Sequence, residues 1–383
     1  MSSPTSSSSS SSWPISIRSL FISVLIPVIL GTLLYQLDSF DPASYPTHVL
    51  STDPPIVVPK RNNHMLHGSE KIGVDQLLSP EDVAYDPNSG VIYTGCVDGW
   101  VKKVTVNISA ADSRVEDWVF TGGRPLGLAL GRHGEVIVAD ADKGLLLNVT
   151  SEGEVKVLTE EAEGLKFKLA DAVDVAKDGM IYFSDASYKY KFEEFMYDFL
   201  EGRPYGRLLS YDPSTKQTKT LLGDLYFANG VAVSPDQNSV IFCETPLSKC
   251  KKYYVKGERK GSVDIFIENL PGFPDNIRYD GEGHYWIALA SEKTYTWNLA
   301  LRYPFIRKIM AIIVKYVGQP RAEKNGGVLS VDLQGKPVEH YYDGDVTMMS
   351  SATKIGDHLY CGSIKSPYML RLNLKQNPAV QTS

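Results

Sequence analysis

The amino-acid sequence predicts an all-β fold, a six-bladed β-propeller with an N-terminal transmembrane helix and two partly helical insertions. The main observation is a hairpin pattern: a short apolar strand, a turn rich in Gly, Asp or Pro, and a strand rich in aromatic or β-branched residues. Six copies begin at Glu81, Leu126, Asp171, Asn229, Asp275 and Ser350. Most intervals between these starts are close to the ~45 residues of a propeller blade. One blade cannot bury both faces of its sheet, so the six are expected to close around an axis over residues 70–376, before a C-terminal tail at 377–383.

The composition is that of a folded globular protein and excludes one class of partner. Of the 383 residues, 43% are hydrophobic and 22% are charged, and the net charge is −6. Nucleic-acid-binding proteins carry a clustered basic face, which this charge balance does not suggest. We therefore expect no nucleic-acid partner.

Two of the repeat intervals are longer than a blade, and they predict insertions at residues 188–212 and 291–327. The second contains a helix-like segment, 302–318, in which apolar residues alternate with Arg302, Arg307, Lys308 and Lys315. Such a helix suits a membrane interface, where basic side chains reach the headgroups, or it covers the mouth of the channel. The alternative is a helix packed on the propeller rim with its basic residues in water. Four basic residues argue against a second spanning helix.

The N-terminal region predicts a membrane anchor. Residues 1–18 are rich in Ser and are expected to form a cytosolic tail. Residues 19–37 are uncharged and close to the roughly 20 residues that span a bilayer as a helix. Arg18 lies before this segment, so the linker at 38–69 and the propeller are expected to be lumenal or extracellular, in the endoplasmic reticulum, the vacuole or at the plasma membrane. A cleaved signal peptide is the alternative.

Two sequons, at Asn107 and Asn148, predict glycosylation. Glycosylation sites agree with a lumenal or extracellular location of the propeller.

The four cysteines are expected to fall into two kinds. Cys243 and Cys250 stand on opposite arms of one hairpin, where they can form a disulfide in an oxidising compartment. Cys96 and Cys361 lie in apolar strands and are expected to be buried free thiols.

The residues that begin the six copies predict a metal site. The first strand of each blade lines the channel, so these residues meet near one mouth. Glu81, Asp171 and Asp275 are carboxylates and Asn229 is a carboxamide, with Asn276 as a fifth candidate. Carboxylates around one axis repel each other unless a cation lies between them, and a set of oxygen ligands suits Ca²⁺. The alternative for any one position is a turn or cap made by an Asp or Asn side chain, but the recurrence in one register favours a metal site.

The segment from about residue 70 to the end resembles plant strictosidine synthase-like proteins and the adipocyte plasma membrane-associated protein. The resemblance is carried by "YTGCVDGWVKKV", "EGRPYGRLLSYDPSTKQTKTLL", "FANGVAVSPDQNSVIFCET" and "LPGFPDNIRYDGEGHYWIAL". These families share a six-bladed propeller with paraoxonase and the gluconolactonase group, in which a catalytic calcium is bound. The resemblance places the calcium ligands at Glu81, Asp171, Asn229, Asp275 and Asn276, where Asp171 replaces the usual Asn.

The resemblance also implies an activity, a Ca²⁺-dependent hydrolysis of small esters or lactones. Asp275 is then the first candidate for the base or nucleophile, with Glu81 and Asp171 as alternates. Leu126 stands where paraoxonase-like enzymes have a catalytic His. Ser350 or Ser351 stands where strictosidine synthase has a catalytic Glu, so a condensing synthase is disfavoured. A non-catalytic binding module stabilised by calcium is the remaining alternative.

Overall fold

Six four-stranded antiparallel sheets form the body of the protein. The computed structural model describes residues 21–51, 53–58, 61–149, 155–319 and 324–379, with 21–22 and 146–149 described by their backbone alone. The predicted tail at 1–18 lies outside the described residues. The strands, in chain order, are β1 Glu70–Ile72, β2 Ala84–Asp86, β3 Val91–Gly95, β4 Trp100–Thr105, β5 Arg114–Phe120, β6 Pro125–Leu130, β7 Val136–Asp140, β8 Gly144–Val149, β9 Val157–Thr159, β10 Glu161–Ala162, β11 Leu165–Lys166, β12 Ala170–Val175, β13 Ile181–Asp185, β14 Gly206–Asp212, β15 Gln217–Leu225, β16 Ala228–Val233, β17 Ser239–Glu244, β18 Lys249–Tyr254, β19 Val263–Ile267, β20 Gly272–Tyr279, β21 His284–Glu292, β22 Gly326–Asp332, β23 Pro337–Asp343, β24 Met349–Ile355, β25 His358–Ser363 and β26 Met369–Asn373.

The sheets confirm the predicted six blades. Blades one to five are β2–β5, β6–β9, β12–β15, β16–β19 and β20–β23, and β10 and β11 form a small ribbon between the second and third. The sixth blade has three strands from its own repeat, β24–β26, and takes its outer strand β1 from the N-terminal side of the propeller, with Lys71 opposite Leu370. This pairing closes the ring of blades.

The core is a ring of apolar clusters between neighbouring blades. Phe242 of blade four packs with Leu208 of blade three, for example, and Trp286 of blade five packs with Leu359 of blade six. Corresponding clusters lie at the other four junctions, including the one between blades six and one. Middle strands such as β17 are buried along their whole length because a blade has a neighbour on each face.

Two glycines allow the inner strands of neighbouring blades to touch. A Cβ on Gly230 would stand 2.7 Å from the backbone nitrogen of Ile277 and closer still to the carbonyl oxygen of Asp275. A Cβ on Gly127 would stand 2.5 Å from the carbonyl oxygen of Asp171. These contacts bring the starts of the inner strands together at the axis.

The helices gather at one mouth of the channel. They are α1 Ile26–Leu37, α2 Phe195–Glu201, α3 Tyr295–Arg302 and α4 Pro304–Val317. A π-helical turn, Phe21–Leu25, precedes α1, and 3₁₀ turns occur at Thr47–Val49, Ala110–Asp112, Phe192–Glu194 and Thr245–Leu247.

Strand order explains where the insertions lie. The first strand of a blade begins at the mouth that carries the candidate ligands, and the antiparallel second strand returns there. Helix α2 connects β13 to β14, and α3 and α4 connect β21 to β22, so both insertions lie over that mouth. The two helical insertions are thus confirmed, although the segment predicted as one helix at 302–318 is divided at Tyr303 between α3 and α4.

The prediction that Arg307 reaches towards headgroups is wrong. Its guanidinium is fully buried and donates to the carbonyl oxygens of Ala300 at 2.8 Å, Leu200 at 3.0 Å and Ala43. Two of these carbonyls belong to the last turns of α3 and α2, where a helix leaves its carbonyl groups without intrahelical partners. Arg307 therefore ties α4 to two helices and to the N-terminal segment.

The N-terminal helix lies beside α4. Lys315 forms an ion pair with Asp38 at 2.8 Å, and the Lys308 ammonium lies 4.8 Å from the ring centre of Tyr35. Among the residues that the structure describes, no helix combines the length and the apolar character needed to cross a bilayer. Within the predicted 38–69 linker, Tyr45 is buried against the insertion helices, whereas Val58 and Met65 pack against the blades.

The cysteine prediction is confirmed. Cys243 and Cys250 face each other across β17 and β18 and form a disulfide, and Cys96 and Cys361 are buried free thiols. Asn107 is exposed in the connection from β4 to β5, so its sequon is accessible, and its glycosylation stays a prediction. The side chain of Asn148 and residue Thr150 lie outside the described residues.

Candidate metal centre at the channel mouth

The candidate ligands occupy equivalent positions in their blades. In the first strands of blades three, four and five, one extra residue interrupts the pairing with the second strand. The interruptions contain Asp171-Ala172, Asn229-Gly230 and Asp275-Asn276. A bulge turns its side chains away from the regular alternation of a strand, which explains how these polar groups face the channel. Glu81 comes just before β2, where its backbone nitrogen donates to Gly95.

Hydrogen bonds connect the candidate ligands in pairs. The Asn276 amide donates to Glu81 Oε1 at 2.8 Å, across blades five and one. The Asn229 side chain hydrogen-bonds to the Asp275 carboxylate, across blades four and five. All five side chains are buried, and Asp275 is the most exposed of them at 8%. The structure thus brings together groups that are as many as 195 residues apart.

Three oxygen atoms of this cluster lack a partner. Glu81 Oε2, Asn229 Oδ1 and Asn276 Oδ1 are buried and have no hydrogen-bond partner among the described residues. A buried polar atom without a partner is destabilising by about 1–3 kcal/mol. Hard oxygen donors of this kind are the ligands that Ca²⁺ prefers, so the residues fit a calcium ion.

The pKa values of the buried carboxyl groups also favour a bound cation. Burial, together with the charges of Asp275, Asp82 and Asp171, raises the pKa of Glu81 well above its usual value. Burial and the same kind of repulsion, chiefly from Asp275, raise the pKa of Asp171. Burial raises the pKa of Asp275 to about 8, and the hydrogen bond from Asn229 opposes this shift. The site therefore favours added positive charge.

The residues that begin the other two repeats, Leu126 and Ser350, carry no acid. Leu126 lies in the corresponding interruption of blade two and is buried in an apolar cluster with Phe199 and Trp297 of the insertions. The hydroxyls of Ser350 and Ser351 donate to the Glu81 carbonyl oxygen at 2.6 and 2.7 Å. These serines fix the backbone of a candidate ligand and offer no general acid.

An arginine on the inner strand of blade five, Arg278, lies close to the candidate ligands in sequence and contacts several blades. Arg278 donates to the Asp82 carboxylate, to Leu128 O at 2.9 Å and to Val173 O at 3.0 Å. It thereby joins the inner strands of blades five, one, two and three. The sequence analysis did not single out Arg278, although a charge three residues after Asp275 on an inner strand is a detectable signal.

A second group of possible metal ligands lies on the surface. Among the described residues, His64, Asp343 and Asp345 are the one set of three His, Cys, Asp or Glu residues whose ligand atoms all lie within 4.8 Å of each other. The carboxylates of the channel cluster do not meet that criterion by themselves, so a metal ion bound there would also need the Asn oxygens.

Comparison with known proteins identifies the relatives of this chain. The strictosidine synthase family matches residues 171–258, and the strictosidine synthase-like N-terminal family matches residues 61–104. Strictosidine synthase-like protein 6 of Arabidopsis thaliana is 54% identical over 366 residues, which cover 95% of this chain and 98% of that protein. The adipocyte plasma membrane-associated protein of Rattus norvegicus is 34% identical, with 93% of this chain and 98% of that protein covered.

Solved structures show the same fold at low sequence identity. A gluconolactonase from Xanthomonas campestris superposes with a TM-score of 0.58 and 14% identity, covering 88% of this chain and 99% of that one. Regucalcin from Agrobacterium tumefaciens, described as a calcium-binding protein, superposes with a TM-score of 0.54 and 14% identity, covering 79% and 92%. Taken with the fold and with identities above one half, these matches show that the chain belongs to the strictosidine synthase-like family.

Proposed function

We propose that this chain is a Ca²⁺-dependent hydrolase of small esters or lactones, with its site at the channel mouth. The observation that carries the proposal is the set of buried oxygen atoms without partners on Glu81, Asn229 and Asn276, beside the carboxyl groups of Asp171 and Asp275. The fold shared with a gluconolactonase and with a calcium-binding regucalcin supports it.

Glu81, Asp171, Asn229, Asp275 and Asn276 would hold the ion. Calcium bound there would supply positive charge, which would lower the pKa of the carboxyl groups and polarise a substrate carbonyl. The Asp275 carboxylate is the proposed base, which accepts a proton from the attacking water. The Asn229 side chain orients this carboxylate through its hydrogen bond.

The insertion helices provide the apolar part of the substrate site. Phe199 and Trp297 pack over the mouth together with Leu126, and they suit the hydrocarbon body of an ester or lactone. Because the ligands are almost entirely covered, these helices must move to admit a substrate.

A non-catalytic module in which calcium joins the blades is the second candidate. Burial of all five side chains favours it, since a structural ion needs no access for substrate. A condensing synthase has no support at Ser350 or Ser351, whose hydroxyls are engaged with backbone.

Calcium removal tests the proposal. Binding at a hundredfold excess over Kd stabilises the native state by about 2.7 kcal/mol, so chelation is expected to lower Tm by about 5 °C and to abolish ester and lactone turnover. Asp275→Ala should remove the chelator effect on Tm. Asp357→Ala, which changes a half-exposed carboxylate paired with Lys375, should retain it.

The outcomes separate the candidates. A chelator-sensitive Tm without turnover of any aryl ester or lactone in the panel supports the binding module. Identical melting curves before and after verified metal removal contradict the calcium site itself.

We also propose that the mouth faces a membrane. Ile309 and Ile313 of α4 are 45% and 47% exposed, and α1 beside it exposes a row of apolar side chains. An exposed apolar surface of this extent favours a membrane interface. The name of the plasma membrane-associated relative agrees with this location, in a membrane of the secretory pathway.

Vesicle binding tests the membrane contact. In a chain that begins at residue 38, Ile309→Asp with Ile313→Asp should weaken binding to anionic vesicles at least about tenfold, because apolar area no longer enters the interface. Val263→Asp with Ile265→Asp, which alters exposed apolar residues on an outer strand, should leave binding unchanged. Equal binding of both double variants would show that α4 only covers the propeller.

A further inference from the structure

Arg124 is a buried cation whose hydrogen-bonding capacity is largely unused. It comes directly before β6, and its residue is 4% exposed. The Nη2 group donates to Ser79 O at 3.1 Å, whereas Nε and Nη1 have no partner among the described residues. A guanidinium carries five N–H donors, and leaving buried donors unpaired is unfavourable.

The backbone holds Arg124 firmly in place. Its nitrogen donates to Asp140 Oδ1 at 3.1 Å, and its carbonyl oxygen accepts from the nitrogen of Ala141 at 2.9 Å. The ring of Phe192, from the first insertion, lies 5.5 Å from the guanidinium carbon. Arg124 is therefore fixed between the blade and the helices that cover the mouth.

The negative groups that act on Arg124 include Glu81 of the candidate metal centre, as well as Asp140 and Asp98. The charge of Arg124 acts on the carboxyl groups of both Glu81 and Asp171. Within the described part of the chain, Nε and Nη1 of Arg124 and Oε2 of Glu81 are all buried without a hydrogen-bond partner. The Nη2 group donates to the carbonyl oxygen of Ser79, two residues before Glu81, so the guanidinium lies beside the backbone that leads to this candidate ligand.

We propose that Arg124 binds a carboxylate of the substrate, so that the preferred substrates are monoanionic esters or lactones. This inference rests on the proposed hydrolase function. The Nη1 group and the second N–H of Nη2 form a planar fork that matches the two oxygens of a carboxylate. A monoanion suits a single guanidinium beside three carboxyl groups better than a phosphate dianion does.

Ligand binding without turnover is the direct test. Butyrate and its neutral isostere butyramide are titrated calorimetrically into the full chain, with and without calcium. Wild type should bind butyrate at least about tenfold more tightly, and Arg124→Gln should remove this preference. Arg124→Lys should keep part of it, since the charge remains and the fork is lost. Arg203→Gln, which alters an exposed arginine at the same mouth, should keep all of it.

Turnover gives a second test. The ratio of kcat/KM for the 4-nitrophenyl hemiester of succinate to that for 4-nitrophenyl acetate should fall at least about tenfold in Arg124→Gln. A butyrate preference that persists in a folded Arg124→Gln protein would overturn the inference and assign carboxylate binding to the metal. Tighter binding of inorganic phosphate than of butyrate would overturn the choice of a monoanion. If no ester or lactone is turned over but the butyrate preference depends on Arg124, the anion site stands and the proposed hydrolase fails.

Discussion

Replacing Arg278 by Leu is expected to lower the free energy of unfolding by about 3–5 kcal/mol, the usual effect of removing one partner from a buried ion pair. Arg278 is 12% exposed at its side chain and its partner Asp82 is fully buried. The substitution leaves the Asp82 carboxylate with two backbone donors, Leu128 and Val83, and without a cation. It also leaves the carbonyl oxygens of Leu128 and Val173 without this donor.

A matched variant isolates the role of burial. Arg259 forms an ion pair with Asp264 at 2.7 Å, but both side chains are largely exposed, at 53% and 41%. Arg259→Leu should therefore change stability by less than about 1 kcal/mol. Chemical denaturation of both variants, with midpoint and slope compared, measures the difference. Equal losses in the two variants would show that Arg278 does not join the blades.

Gly230→Ala is expected to destabilise the protein by about 3 kcal/mol, at the upper end of the range for added volume in a packed core. The new methyl group would press on the backbone of Asp275, Asn276 and Ile277 in the next blade, and backbone cannot rotate away as a side chain can. Because Asp275 and Asn276 are proposed calcium ligands, the variant should also lose the chelator effect on Tm.

Gly223→Ala is the control for this prediction. Gly223 lies in β15, and a Cβ there would meet no atom within 4 Å. Alanine at such a position should change stability by less than about 1 kcal/mol, with a gain expected from the stiffer unfolded chain. A Gly230→Ala protein as stable as Gly223→Ala would mean that the inner strands can separate, and the proposed ion cage would then not be rigid.

Local pattern was enough to predict the blades and the equivalent positions of the candidate ligands within them. Each blade is a run of hairpins between residues close in sequence, so alternation and turn residues are sufficient to place its strands. Asp171, Asn229 and Asp275 could be matched because they stand at the same point of successive repeats. The disulfide between Cys243 and Cys250 was predictable for the same reason, since the two residues belong to one hairpin.

Long side chains and their distant partners could not be predicted in this way. Helical periodicity shows that Arg307 lies among apolar residues of α4, but it does not show whether the guanidinium points to solvent or to the carbonyls of other elements. One of those carbonyls, on Ala43, is 264 residues away. The inward orientation is favourable because the last turns of α2 and α3 offer acceptors, and these exist only once the helices are packed together.

The sequence by itself thus determined the six-bladed architecture, the common register of the candidate ligands and the disulfide, because repeats and hairpins are encoded by neighbouring residues. Only the tertiary structure showed that β1 completes the sixth blade and that Arg278 hydrogen-bonds to residues of several blades. It also showed that Arg124 is buried, with Nε and Nη1 unpaired among the described residues. The closure by β1 depends on strand pairing between the two ends of the propeller. The two arginines depend on contacts between residues far apart in sequence, because a buried charge is destabilising unless it has a partner.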